Sequence, residues 1–129
     1  NQSIGLTLLE PHINYTNYVF SVLDAGIEIK GIAHITGGGL IENIPRILPD
    51  NFGVEIIKNS WPKLPVFDVM QSIGNIDENE MFRTFNMGIG MVFIVNPDHV
   101  QAIKDNLIDV SEIYEIGSVN KNMGNVTIL

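Results

Sequence analysis

The stretch Ile32-Ala33-His34-Ile35-Thr36-Gly37-Gly38-Gly39 marks the point where the chain changes from strand to helix. In residues 27–35, which precede it, Ile27, Ile29, Gly31 and Ala33 alternate with Glu28, Lys30, Ile32 and His34. This alternation and the many β-branched residues predict a strand. Residues 40–48 follow it with apolar side chains at the spacing of an amphipathic helix, and we expect Pro45 to kink this helix. Glycine lacks a Cβ atom, so three in succession permit the sharp turn between the two elements.

Further elements extend in both directions from this strand and helix. Apolar periodicity with Pro or Gly at the ends predicts helices at residues 14–25, 66–72, 77–84 and 97–107. Shorter apolar segments predict strands at 54–57, 113–119 and 125–129. Residues that favour turns predict a loop at 59–65 and a turn at 120–124. Residues 90–95 form a continuous apolar run, which predicts a central strand buried on both faces. The order αβαβααβαββ predicts a mixed α/β fold, an α+β domain with a mixed sheet. No repeat or linker-like segment divides residues 1–129, so we expect one domain.

Composition and charge exclude several functional classes. With 129 residues, of which 45% are hydrophobic and 17% charged, the chain can bury a core without disulfides or a structural metal. Cysteine is absent, which removes disulfide scaffolds, Cys-ligated zinc and thiol catalysis. A net charge of −8 with only 7 scattered Lys and Arg residues argues against nucleic acid or an anionic membrane as a partner. The longest apolar stretch, residues 87–95, is too short to span a bilayer.

The amino terminus has neither an initiating Met nor an apolar segment of signal-peptide length. We therefore expect the chain to be a fragment. A domain cut from a larger enzyme would carry only part of an active site.

The glycine run allows two interpretations. The backbone N–H groups of Gly37, Gly38 and Gly39, together with the start of the following helix, could bind an anion such as phosphate. The alternative is a tight turn that binds no ligand. The run matches neither the Walker pattern nor G-x-G-x-x-G, so its sequence does not decide between them.

Polar residues close to the glycines are further candidates for a binding site. Glu42, Asn43 and Arg46 lie on the polar side of the predicted helix, and Arg46 could clamp a phosphate. Arg46 also follows Glu42 at the i,i+4 spacing of a solvated ion pair, which is the alternative. Of the three histidines, His34 alone is expected next to this site, although a strand histidine is more often structural. His12 and His99 are expected on the surface.

A second glycine-containing stretch, Phe85-Asn86-Met87-Gly88-Ile89-Gly90-Met91, enters the apolar strand. Glycines at this point indicate a bulge or the close approach of a ligand or another backbone, although packing alone also explains them. Trp61 is interpreted as a loop anchor over the core, with stacking on a ligand as the alternative. The sequence shows no Ser/His/Asp triad and no metal-ligand spacing, so we assign no catalytic residue and no metal ligand.

Taken together, these motifs resemble the carboxy-terminal domain of the phosphoribosylformylglycinamidine cyclo-ligase family, also called aminoimidazole ribonucleotide synthetases. The resemblance is carried, in chain order, by Leu9-Glu10-Pro11, Ile32-Ala33-His34-Ile35-Thr36-Gly37-Gly38-Gly39, Glu42-Asn43-Ile44-Pro45-Arg46, Ser60-Trp61-Pro62 and Glu80-Met81-Phe82-Arg83-Thr84-Phe85-Asn86-Met87-Gly88-Ile89-Gly90-Met91. Several long motifs in the correct order are far more specific than a single glycine loop. After Pro97 the similarity is only generic.

The resemblance implies a layered α/β/α sandwich and a role in purine biosynthesis. In this family ATP phosphorylates the amide oxygen of formylglycinamidine ribonucleotide, and an internal nitrogen then displaces phosphate to close an imidazole ring. ATP and Mg²⁺ are expected mainly on an amino-terminal domain that is absent from these 129 residues. The present domain would form one wall of the cleft, and alone it should be inactive. The full-length protein is expected to be a cytoplasmic homodimer, joined largely through the amino-terminal domain.

Carried over residue by residue, the resemblance gives a surface for substrate and phosphate. Its members are His34, Thr36, Gly37, Gly38, Gly39, Glu42, Asn43, Arg46, Asn86, Met87 and Gly88. No proton-transfer role is assigned to His34. Two alternatives remain: a fragment of a related ATP-using enzyme, such as formylglycinamidine ribonucleotide synthetase or selenophosphate synthetase, or a module that keeps the fold and binds ligand without catalysis.

Overall fold

The structure, a computed structural model, describes residues 3–109, 112–121 and 124–129. Helices α1 to α6 comprise Ile4–Leu8, Thr16–Asp24, Gly39–Asn43, Pro65–Gly74, Glu78–Thr84 and Val100–Asn106. Strands β1 to β5 comprise Ile29–His34, Phe52–Ile56, Met91–Val95, Gly117–Lys121 and Val126–Ile128. Two short 3-10 segments, Ile44–Ile47 and Pro97–His99, follow α3 and precede α6. The predicted order of elements is confirmed, with α1 as an addition that the sequence did not indicate.

The strands form two sheets. Strands β1 and β3 pair in an antiparallel manner, whereas β2 lies between β4, which is antiparallel to it, and β5, which is parallel. The α+β class with a mixed sheet is therefore confirmed. The division into two sheets was not indicated by the sequence, because strand patterns do not specify which strands pair.

Strand β3 corrects one prediction. Within the described part of the chain it pairs with β1 alone, and all five of its residues are only half-buried, so it is not a central strand. Its continuous apolar run has another cause. Val92 packs against the larger hydrophobic cluster, whereas Phe93 and Val95 pack against a smaller one. The strand is apolar on both faces because it separates two clusters.

The larger cluster forms the core between the two sheets and helices α3 to α5. Its buried members are Ala33, Ile35, Leu40, Ile44, Val54, Ile56, Trp61, Phe67, Met81, Phe82, Met87 and Ile89. Trp61 is 7% exposed, and its indole N–H donates a hydrogen bond of 2.9 Å to the Met87 carbonyl. This confirms Trp61 as a loop anchor. The smaller cluster joins α2 to α6 through Val22, Ile103 and Leu107.

Local sequence signals explain most helix boundaries. Helix α4 begins at Pro65, a residue suited to the first helical position, and ends before Asn75, whose φ of 47° is left-handed. Helix α5 begins after Asp77, whose carboxylate accepts a hydrogen bond of 2.8 Å from the Asn79 N–H. The break expected at Pro45 is confirmed, because α3 gives way there to a 3-10 segment.

The end of the chain departs from the predicted boundaries. Strand β4 occupies Gly117–Lys121 rather than residues 113–119. Tyr114 and Ile116 contact the larger cluster, and Ile113 the smaller one, so their apolar pattern reflects packing before the strand begins. The predicted turn at residues 120–124 lies partly outside the described residues.

Candidate functional site

The glycine turn between β1 and α3 contains residues with different environments. Gly37 is exposed, and Gly38 is half-buried with a φ of 100°. Gly39 is buried with a φ of 55°, and a Cβ atom there would overlap the Phe82 carbonyl oxygen and lie 2.7 Å from that of Phe85. Gly39 therefore allows the end of α5 to approach the backbone, whereas Gly37 and Gly38 form the accessible part of the turn.

Asn43 holds this turn in place. Its side chain is 6% exposed, and its amide Nδ2 donates hydrogen bonds of 3.2 Å to the Gly37 carbonyl and 2.8 Å to the Gly39 carbonyl. Because these two carbonyls are fixed from inside, the turn has a defined conformation. Asn43 is a buried support for the turn and does not reach the surface.

The predicted pair of Glu42 and Arg46 does not form in this structure. Arg46 instead donates a hydrogen bond of 3.1 Å from Nη1 to the Asn43 Oδ1. Glu42 lies beside the turn, where its Oε2 is 3.2 Å from the Cβ position at Gly38. Both Arg46 and Glu42 are exposed. The ion-pair alternative is therefore wrong here, and the guanidinium is joined to the glycine turn through Asn43.

An open cleft of about 460 Å³ lies at the end of β1, next to the glycine turn. It is lined by His12, His34, Ile35, Thr36, Phe67, Thr84, Phe85 and Asn86. Of the predicted site residues, His34, Thr36 and Asn86 are brought together here. The three glycines, Glu42, Asn43, Arg46, Met87 and Gly88 do not line it.

His12 is a site residue that the sequence analysis missed. Its Nε2 lies 2.8 Å from the Nε2 of His34, within hydrogen-bond distance. The expectation that His34 alone lies next to the site is therefore wrong, although His12 is exposed as predicted. His12 belongs to the segment between α1 and α2, and only tertiary structure brings this segment to β1. The nearby motif Leu9-Glu10-Pro11 was the available signal.

Tyr15 completes an aromatic group around the two histidines. Its ring centroid lies 5.5 Å from that of His12 and 6.3 Å from that of His34, in edge-on arrangements. A Cβ atom at Gly90 would overlap the Tyr15 hydroxyl, so this glycine is needed for the close approach. Burial, and secondarily the neighbouring Tyr18, raises the pKa of Tyr15.

The stretch 86–88 forms a tight turn at the cleft, which Asn86 lines. Asn86 accepts a hydrogen bond of 3.0 Å at Oδ1 from the Gly88 N–H. Met87 has a φ of 53° and a side chain only 2% exposed in the core, whereas Gly88 is exposed with a φ of 92°. Asn86 alone of these three residues presents its side chain to the cleft.

The lining of the cleft limits the chemistry that it can support. Its polar groups are two imidazoles, two threonine hydroxyls and one amide, beside the apolar surfaces of Phe67, Phe85 and Ile35. Among the described residues no carboxylate lines it, and none of them forms a group of three or more His, Cys, Asp or Glu side chains placed to hold a metal ion. These residues therefore do not fit a Mg²⁺ site. The cleft is suited to a flat polar ligand held by hydrogen bonds and aromatic contact.

The structure is an α+β domain with an open cleft at a strand-to-helix turn. Comparison with known proteins gives the family: residues 1–128 match the family described as AIR synthase related protein, C-terminal domain, and the chain belongs to it. The layered architecture expected from the resemblance agrees with this family.

Similar proteins that share one name come from several organisms. The chain is 48% identical over 120 residues to a phosphoribosylformylglycinamidine cyclo-ligase of Acetivibrio thermocellus, which covers 90% of this chain and 35% of the relative. Identity is 47% over 129 residues to the enzyme of that name from Caldicellulosiruptor saccharolyticus, covering 99% and 38%. It is 48% over 122 residues to that of Geobacillus thermodenitrificans, covering 94% and 35%. The chain thus spans little more than a third of these relatives.

A separate observation concerns membranes. Among the described residues, none of the helices combines the length and apolar character that crossing a bilayer requires.

Proposed function

We propose that this chain is the carboxy-terminal part of an ATP-dependent cyclo-ligase that converts formylglycinamidine ribonucleotide to aminoimidazole ribonucleotide, with release of ADP and phosphate. The observation that carries this proposal is the identity of 47% over the whole chain to a protein named phosphoribosylformylglycinamidine cyclo-ligase. The family match over residues 1–128 supports it. The role would belong to purine biosynthesis.

The cleft supports a role in binding substrate. We infer that His34, Thr36 and Asn86 contact the substrate, because all three lie in one cleft that contains no carboxylate to repel an anionic ligand. The N–H groups of Gly37 and Gly38 lie on the accessible part of the adjoining turn and would bind phosphate at its edge. Arg46 and Glu42, which are both exposed, would contact the remainder of the substrate.

Other parts of the longer protein would supply what this chain lacks. ATP and Mg²⁺ would be held mainly by an amino-terminal domain, since the described residues here provide no cluster for a metal ion. This domain would close the other side of the cleft and would also form most of a homodimer interface. A biosynthetic enzyme of this kind would act in the cytoplasm.

The test uses the full-length protein that contains this chain, assayed with formylglycinamidine ribonucleotide, ATP and Mg²⁺. Thr36→Val removes one cleft hydroxyl at nearly constant volume, whereas Thr16→Val makes the same change at an exposed position on α2. We expect Thr36→Val to raise the Michaelis constant for the ribonucleotide about tenfold, the effect of one lost hydrogen bond to a ligand. Thr16→Val should leave it unchanged.

Three outcomes of this assay decide between the alternatives. Formation of the imidazole product supports the proposal, whereas ATP use with a different acceptor identifies a related ATP-using enzyme. Ligand binding without turnover identifies a non-catalytic module. Equal effects of Thr36→Val and Thr16→Val would show that the cleft does not bind the substrate.

A further inference from the structure

The contact between His12 and His34 constrains both imidazole rings. The two Nε2 atoms lie 2.8 Å apart, with the ring centroids 4.8 Å apart and the planes inclined at 70°. Between two neutral imidazoles, such a bond requires one Nε2 to donate a proton and the other to accept it. A neutral ring that accepts at Nε2 carries its proton on Nδ1, and a ring that donates at Nε2 has a bare Nδ1. The bond therefore couples the two tautomers, because one ring must carry its proton on Nε2 while the other carries it on Nδ1.

Packing keeps the two rings in this arrangement. The Tyr15 ring lies edge-on to both imidazoles, and the bare backbone of Gly90 lies close to the Tyr15 hydroxyl. The Cβ position at Gly90 is 3.0 Å from His12 Cε1, so the imidazole is confined by backbone as well. The Tyr15 ring in turn packs edge-on against the Tyr18 ring, with centroids 6.1 Å apart. None of the described residues that line the cleft is a carboxylate, lysine or arginine that could compete for the bond.

We propose that His12 is a positioning residue, whose hydrogen bond sets the orientation of His34 in the cleft and couples the tautomer of His34 to that of His12. The proton position on His12 thereby determines whether Nδ1 of His34 can donate or accept a hydrogen bond toward a ligand. The functional part of this inference rests on the proposed function, because it requires the cleft to bind substrate. The structural part is independent of any ligand.

The structural part is tested on the 129-residue chain by nitrogen NMR of the imidazole rings near neutral pH. His12→Phe keeps an aromatic ring beside Tyr15 and removes the hydrogen bond. His99→Phe is the matched control, because the His99 ring lies away from the cleft, with Nδ1 3.4 Å from the Glu28 carbonyl. We expect the balance of the two His34 tautomers to be the same in the unmodified chain and in His99→Phe, and to change in His12→Phe. An unchanged His34 spectrum in His12→Phe would overturn the proposal.

The functional part is tested by kinetics of the full-length protein. We expect His12→Phe to lower kcat/KM about tenfold or more through misplacement of His34, and His12→Gln, whose amide can both donate and accept, to restore most of the loss. His99→Phe should change nothing. Melting temperatures are measured in parallel. If the contact is purely structural, His12→Phe lowers the melting temperature and leaves kcat/KM unchanged. That result would also overturn the proposal.

One more variant separates this inference from the proposed function. If His34→Phe leaves kcat/KM unchanged in the full-length protein, the cleft is not the substrate site and the proposed site fails. The NMR result would still report whether the His34 tautomer is coupled to His12, since that measurement needs no substrate.

Discussion

At the scale of single residues, the glycine turn is fixed from two sides. Asn43 holds the carbonyls of Gly37 and Gly39 from within α3, while the backbone end of α5 lies directly against Gly39. Asn43 makes the first contact through hydrogen bonds, whereas the contact with α5 is possible because Gly39 has no side chain. The turn beside the cleft therefore depends on packing between α3 and α5 as well as on its own conformation.

This arrangement predicts that Gly39→Ala strongly destabilises the protein. The matched control is Gly26→Ala, because Gly26 has a similar left-handed φ of 74° but no atom within 4 Å of its Cβ position. Left-handed strain alone should cost about 1 to 2 kcal/mol at Gly26. At Gly39 the overlap with backbone should add about 1 to 3 kcal/mol or more. Urea unfolding of both variants gives the loss in free energy of unfolding for each substitution. Equal losses would show that α5 does not contact the turn closely enough to exclude a Cβ atom.

Tyr15 predicts a pH dependence of stability at alkaline pH. Burial raises the pKa of its hydroxyl above the ordinary value of 10.0, so the folded chain retains this proton more tightly than the unfolded chain does. The corresponding stabilisation is complete below pH 10 and is lost as the pH rises through the folded-state pKa. Tyr15→Phe should therefore show a shallower fall in unfolding free energy above about pH 10 than the unmodified chain.

The measurement for Tyr15 is urea unfolding over a series of pH values. Tyr114, whose pKa is raised by its hydrogen bond to Glu112, affects both proteins in the same direction and cancels in the comparison. Identical pH profiles for the two proteins would contradict the burial of the Tyr15 hydroxyl.

Single residues also show how far the sequence can predict a site. His34, Thr36 and Asn86 were recognised from motifs, and the structure brings them into one cleft. Their individual roles stay predictions. His12 was assigned to the surface because no local pattern links it to His34, which lies far along the chain. The sequence pattern places Asn43 on the polar side of the helix, and only its packed position shows that it supports the turn.

At the scale of secondary structure, strand β3 makes a prediction about hydrogen exchange. Ile35 donates to the Gly90 carbonyl, and His34 pairs with Met91, so the antiparallel register directs the amides of Val92 and Ile94 toward β1. The amides of Met91 and Phe93 then point away from β1. We expect slow exchange at Val92 and Ile94 and much faster exchange at Met91 and Phe93 in the 129-residue chain.

The alternating exchange distinguishes an edge strand from a central one. Uniformly slow exchange from Met91 to Val95 would show that a further strand covers the free edge in solution. Amides of β2, which has partners on both sides, provide the internal reference for full protection.

Strands were the elements whose surroundings the sequence predicted least well. The apolar run of β3 was correctly assigned as a strand, but apolar side chains on both faces do not reveal how many strands lie beside it. Helices were more predictable, because caps and breakers act locally. Asp77 and Pro65 mark helix starts and Asn75 marks an end through contacts within a few residues.

At the scale of the whole molecule, the chain by itself is expected to be inactive. The 129-residue chain should neither form the imidazole product nor hydrolyse ATP, since its described residues offer no metal-binding cluster and its cleft is open on one side. The full-length protein should do both under the same conditions. The assay compares the two at equal concentration, with circular dichroism as the check that the shorter chain is folded. Turnover by the shorter chain, with contaminating enzyme excluded, would contradict this division of roles.

The pairing of the strands has a consequence for how the chain folds. Strands β1 and β2 lie in the first half of the sequence, and each finds its partners, β3 or β4 and β5, in the second half. No described strand pairs with its immediate neighbour along the chain. A large loop must therefore close before any sheet contact forms, and chains with such distant pairings fold slowly. Neither half contains a complete sheet, so a break in the backbone between α4 and α5 would leave two pieces that acquire structure only by recombining with each other.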